Sequence, residues 1–359
     1  MMRLLKNPIL FLLSLFSTVY CLKKPNPRIL VDQNIKANAK KWFIKRAEKS
    51  GIPWTQFVNT YKNNIELIQS YKDKYEDTSL VYPNYYLQPF HGYDSGNMDW
   101  DSAVEVKSAT YSISSRYWKN TDPFTAEQWM RNNATNAIQS YLSHQTDLTV
   151  KTIMDMGSST GISTNYLQQA FPESTILGIE LSPYFLSIAL YESDLANDNL
   201  HYLHANAENV PLPDGCFDMI TCQFLLHEVP YYNTLAILKE AHRLLKVDGV
   251  LAILDLNPNS VKARLQGNLF RQWAFETTEP HIHDYYNHDM KQTMYECGFE
   301  SVAQTKNDPL NSLWVGKKTG VKIQTPKLVK YRHVEQPPFD SRKKSNLCRF
   351  PFPCPSLRK

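Results

Sequence analysis

The stretch Lys151–Asn165, KTIMDMGSSTGISTN, decides the fold: an apolar run ends in an acid, and a turn of small residues then opens into a helix. Ile153, Met154 and Met156 fit a buried parallel strand. Gly157 and Gly161 let the backbone pass close to a ligand, and the helix from about Ile162 aims unpaired amides at it. A second acid, Glu180, closes the next apolar run, TILGIE, 25 residues beyond Asp155. A carboxylate there can take both hydroxyls of a ribose. The dinucleotide pattern G-x-G-x-x-G is absent, since positions 157–162 read GSSTGI, and this argues against a nicotinamide cofactor.

Working outward, short apolar runs alternate with helical spans. Strands are predicted at 152–156, 175–180, 200–204, 217–222 and 250–255, helices at 162–171, 184–195, 232–245 and 289–297, and a closing hairpin from 301–305 and 312–317. The fold class is α/β, a Rossmann-like doubly wound, mostly parallel sheet with an antiparallel last strand and an N-terminal helical cap. That cap spans 22–146. Apolar residues recur at helical spacing from about Asn34 to Tyr75, and two more helices are predicted at 102–118 and 125–143. Between them VYPNYYLQPFHGYDSGNMDW, 81–100, reads as a loop over a surface or a mouth, its aromatics suited to covering a flat substrate.

The acid two residues ahead of Gly157 resembles the first motif of the class I S-adenosylmethionine-dependent methyltransferases, roughly D-x-G-x-G-x-G, with Ser159 at the middle glycine. The resemblance covers about 147–318 and continues in family order through His204–Asp214, Cys216–Gln223, Glu240–Gly249 and the strand Leu251–Asp255. It is strongest to the type 11 subgroup, which includes quinone C-methyltransferases, and the 91–118 segment is similar to a plastid and cyanobacterial branch. The resemblance implies S-adenosyl-L-methionine as cofactor. Asp155, Gly157, Ser158 and Gly161 would position its methionine portion, Glu180 the ribose, Leu181 the adenine face, Asn206, Ala207 and Glu208 the adenine edge, and Gln223 the amino-acid end.

Methyl transfer is an in-line displacement in which the protein chiefly orients the reactants and excludes water. Where the acceptor must lose a proton, the candidate bases are His227, Glu228, Asp255, Glu276 and His281. His227 stands at the carboxyl end of a strand, and a neutral imidazole there would serve near pH 7; Glu276 and His281 lie on an aromatic insertion resembling a substrate lid. His281, His283, Asp284, His288 and Asp289 lack the spacing of a closed zinc site, so no metal is expected. The reading is methyl transfer to a small, aromatic or lipid-like acceptor, at oxygen or carbon. The alternative is a non-catalytic cofactor-binding protein with a regulatory or assembly role. A decarboxylated donor would call for acids near Asn206 and Gln223.

With 359 residues, 42% of them hydrophobic, the chain can build a large core without staples. Cys216, Cys222 and Cys297 read as small apolar fillers, and Cys348 and Cys354 form a C-x5-C pair whose bonding stays open. From Lys317 onward twelve basic residues face two acids, so the net charge of +4 leaves about −6 on the remainder. This basic, proline-rich tail, 319–359, suits an anionic membrane surface, and no recognition fold points to nucleic acid. At the other end, a basic start and a mostly apolar run of thirteen residues, Pro8–Tyr20, read as a leader, 1–21, for the secretory pathway or the first part of a two-part plastid route. The sequon at Asn133 is a pattern frequent by chance.

Overall fold

The computed structural model describes residues 33–118, 120–193 and 197–320, so the leader, most of the basic tail and the Cys348/Cys354 pair lie outside the described residues. The chain divides into two compact units, Met1–Trp42 and Phe43–Lys359. Described residues of the first are helical and belong to α1, Gln33–Lys49. In the second, α2 (Trp54–Asn63), α3 (Ile65–Tyr75), α4 (Trp100–Ala103), α5 (Val106–Ser114) and α6 (Pro123–Gln145) precede the sheet. The core then runs β1 (Thr152–Met156), α7 (Ile162–Ala170), β2 (Thr175–Glu180), α8 (Pro183–Glu192), β3 (Leu200–His204), β4 (Phe217–Gln223), α9 (Tyr231–Leu244) and β5 (Leu245–Leu256). Next come α10 (Pro258–Leu265), α11 (Leu269–Thr278), α12 (Ile282–Tyr286) and α13 (Met290–Glu296), and the hairpin of β6 (Phe299–Lys306) and β7 (Asn311–Lys318).

The seven strands lie in the order β3-β2-β1-β4-β5-β7-β6, with β7 antiparallel to both neighbours and every other pairing parallel. The predicted strands are all present, and β5 begins five residues earlier than its apolar run suggests. β1 is buried along its whole length because helices cover both faces of a parallel sheet. The core lies in two layers: Met154, Ile220 and Ile253 face one side, Ile153, Met219 and Ala252 the other. Cys216, Cys222 and Cys297, expected as small apolar fillers, are buried in the core.

Helix starts follow local chemistry. Asp122 and Ser182 each precede a proline and accept backbone amides of the first turn, at Phe124 and Thr125 and at Phe185. The aromatic insertion, expected only as a covering segment, is helical because Asn257 caps α10 and apolar residues such as Val261, Ile282 and Tyr285 return to the core. Asn133 lies inside α6 with its side-chain amide given to the Asn307 carbonyl at 3.0 Å. Among the described residues no helix is long and apolar enough to cross a membrane.

Candidate functional site

The turn after β1 carries the local strain of the site. Gly157 and Gly161 take φ of +71° and +82°, and a Cβ at Gly161 would come within 2.6 Å of the Tyr202 hydroxyl. Ser159 also takes a positive φ, +51°, where a side chain is disfavoured. The turn is held by the neighbouring strand: the Gly157 and Ser158 amides donate to the Ile179 carbonyl, and the Ser159 amide donates to Glu180 Oε2 at 2.8 Å. The first backbone bond of α7 is Asn165 to Gly161, so the amides of Ile162, Ser163 and Thr164 come before the ladder and open toward the turn. Ser158 Oγ and Thr160 Oγ1 are buried with no hydrogen-bond partner among the described residues. Orphaned hydroxyls in such a turn fit a polar ligand that would satisfy them.

The two acids divide their duties. Glu180, 6% exposed, also accepts the Ser182 amide at 2.8 Å, and the Tyr86 hydroxyl approaches it at 3.4 Å. Asp155 is fully buried and accepts the hydroxyls of Ser163 (2.6 Å), Thr164 (2.8 Å) and Thr221 (2.7 Å). Burial pushes the Asp155 carboxyl up, and those three hydroxyls oppose the shift. Asp155, expected to help position the methionine portion, is bonded within the protein to the start of α7 and to the neighbouring strand β4.

The edge where the nucleoside is expected is covered by the loop from Glu76 to Asp99. Its Tyr85 donates to Glu208 at 2.7 Å, while Asn233 holds the other Glu208 oxygen at 2.8 Å. Asn206 is buried and accepts the Glu208 amide, Ala207 packs on the core, and the Leu181 carbonyl accepts His204 Nε2 at 2.8 Å. The half-buried Tyr86 phenol lies close enough to Glu180 and Glu228 for both charges to act on it, and desolvation first, then those acids, push its pKa well up. Gln223 does not present a free carbonyl: its Oε1 accepts from Arg131 Nη1 at 2.6 Å.

A second cluster stands beyond β4. His227, on the short 3-10 turn Leu226–Glu228, gives its Nδ1 to Asp255 at 2.6 Å. Burial lowers the imidazole pKa, but the charge and hydrogen bond of Asp255 outweigh it, with Glu279 and Glu228 adding, and His227 rises to about 10. A neutral base was expected at His227; its pairing with Asp255 instead favours the imidazolium, a donor. Burial pushes Glu228 up to about 7, against the lowering charges of His91 and His227. His91 Nε2 lies 3.2 Å from Glu279 and 3.6 Å from Glu228, joining the covering loop to the insertion.

The other two predicted bases are not brought into this cluster's contacts. Glu276 meets Gln272 and, at 3.3 Å, His283, both of its own insertion. His281 sets its ring edge-on to Tyr85 at 6.0 Å, and burial lowers its pKa. Sequence reasoning missed His91, Glu279 and the separate roles of Tyr85 and Tyr86; the only signal was the aromatic richness of the loop. Among the described residues no group of acids, histidines or cysteines could hold a metal.

Residues 154–253 match a family model described as a methyltransferase domain. The chain is 30% identical over 157 residues, 41% of its own length and 50% of the relative's, to the malonyl-[acyl-carrier protein] O-methyltransferase of Laribacter hongkongensis. It is 30% identical over 108 residues to the demethylmenaquinone methyltransferase of Thermus thermophilus, covering 30% of this chain and 48% of that one. Against the Listeria welshimeri protein of the same name the figures are 38% over 92 residues, 24% and 37%. The chain spans half or less of the length of these relatives.

Proposed function

We propose, from the premise that residues 154–253 form a class I S-adenosylmethionine-dependent methyltransferase domain, that the whole protein transfers a methyl group to a small, aromatic or lipid-like acceptor at oxygen or carbon. One observation carries the reading: a strained turn with two orphaned buried hydroxyls, Ser158 and Thr160, lies beside the ribose-type carboxylate Glu180 at the carboxyl edge of the sheet. When bound, S-adenosylmethionine supplies an electrophilic methyl carbon. Glu180 would hold its ribose, Asn206, Ala207 and Glu208 the adenine edge, and the 157–161 turn its methionine portion.

The remaining chemistry falls to the buried cluster. His227, charged on Asp255, orients or polarises an oxygen of the acceptor, and Glu228, with a pKa of about 7, receives a proton near neutrality. The Tyr82, Tyr85, Tyr86 and Phe90 rings of the covering loop favour a flat apolar acceptor, a class to which the demethylmenaquinone of two matched relatives belongs. The apolar start and the basic tail support entry to the secretory pathway or a plastid, with the tail against an anionic membrane. Incubation of purified protein with methyl-labelled donor and separated lipid and aqueous extracts tests the activity. Label in the lipid or aromatic fraction is expected; cofactor binding without label transfer to any fraction would leave the regulatory or assembly role instead.

A further inference from the structure

Away from the site, one face of the helices that precede the sheet leaves large apolar side chains in water. Ile113 at the end of α5 is 48% exposed, and Phe124 and Trp129 on α6 are 42% and 44% exposed. The half-buried Trp118 joins them, its ring edge-on to Trp129 at 5.9 Å and to Tyr117 at 5.8 Å. Tyr111 and Phe57 pack against Phe124 at 4.9 and 6.5 Å. Singly exposed apolar residues are ordinary, but aromatic residues gathered on adjoining segments mark a contact surface.

The charge beside these rings has one sign. In α1, Ala47 is buried and Phe43 and Ile44 pack with Ile52 and Trp54, so Lys45 and Lys49, one turn apart, are left exposed. Arg116, also exposed, lies 5.2 Å over the Phe43 ring, and a Cβ at Gly51, just beyond α1, would stand 3.7 Å from Pro123 at the start of α6. The basic and aromatic strips are therefore neighbours. The acids of these segments are all engaged. Glu48 accepts the Thr55 amide at 3.2 Å, Asp122 accepts the amides of Phe124 and Thr125, and Glu127 is fully buried against Arg131. From Lys317 onward the chain carries the same sign, twelve basic residues to two acids.

We propose that this face docks on an anionic lipid surface, with the Phe124 and Trp129 rings at the headgroup level and Lys45, Lys49 and Arg116 against lipid phosphates. The inference extends the membrane reading from the tail to the folded part of the chain, and it does not depend on methyl transfer. Indoles suit that depth, since each has an apolar body and one N–H. Nucleic acid fits less well, because bases stack on open ring faces, whereas Trp118 and Trp129 meet at 87°.

Flotation of the full chain with phosphatidylcholine vesicles, with and without phosphatidylglycerol, tests the face, and quenching of tryptophan emission by brominated lipid locates it. Binding should need the anionic lipid and weaken with salt. Lys45→Gln/Lys49→Gln should weaken it about 10- to 30-fold. Phe124→Gln/Trp129→Gln should weaken it too and remove part of the quenching. Both variants should melt like the unaltered protein, because the altered side chains are exposed. Arg342→Gln/Lys343→Gln/Lys344→Gln reports the tail separately. Equal binding to both vesicles, or unchanged binding and quenching in both face variants, would overturn the docking face, and loss in the tail variant alone would assign the membrane to the tail. Tighter binding to polyuridylate than to the vesicles, weakened by the same substitutions, would make the partner a nucleic acid and overturn the lipid assignment.

Discussion

Replacing Asp255 with asparagine should release His227 from its charged state, and the pH dependence of stability will report it. The His227 pKa is about 10 in the folded protein, against about 6.5 for an unfolded histidine. A folded pKa raised in this way adds stability that is complete below about pH 6.5 and is lost as pH rises through about 10. The slope across that window is at most about −1.4 kcal/mol per pH unit, and the whole contribution at most about 5 kcal/mol. In the variant the charge and hydrogen bond of Asp255 are gone, burial lowers the imidazole pKa against the smaller raising charges of Glu279 and Glu228, and the slope should flatten. Asparagine also disturbs the amides of Leu226 and His227 that Asp255 accepts, but that cost is the same at every pH. Urea unfolding of both proteins from pH 7 to 9.5 gives the two slopes, and the His227 ring resonance in the native state gives the pKa directly. Equal slopes across this range would refute the pairing as the source of the charge.

Asp155→Ala should cost about 3 kcal/mol by stranding the hydroxyls of Ser163, Thr164 and Thr221, lowering the melting temperature by roughly 6–12 °C. An unchanged melting temperature with lost cofactor binding would show instead that Asp155 meets the cofactor itself. Ser159→Gly relieves a positive φ and should stabilise the protein by about 1 kcal/mol in the same melt; destabilisation would mean that the serine side chain holds the turn. Tyr86→Ala uncovers Glu180 and should tighten cofactor binding by about 3-fold or more in calorimetry, because the binding-competent fraction rises. Weaker binding would show that the phenol instead forms a wall of the pocket.

The strands, the turn at 157–161 and the two acids were legible because each is local: buried parallel strands are continuous apolar runs, and a ligand-facing turn between strand and helix needs small residues within a few positions. What the acids do was not legible. Asp155 and Glu180 lie near the carboxyl ends of neighbouring strands, yet one is spent on the hydroxyls of Ser163, Thr164 and Thr221 while the other faces the turn and Tyr86. The charge of His227 depends on Asp255, 28 residues away. His91 and Glu279 meet across nearly two hundred residues of chain, and Arg131 meets Gln223 across 92. Periodicity and spacing describe a residue's own element and the face it presents there. Which side chains share an edge, and hence which protons and charges are stable on it, is set by how separate elements pack and by the water they exclude, and only the tertiary structure decides that.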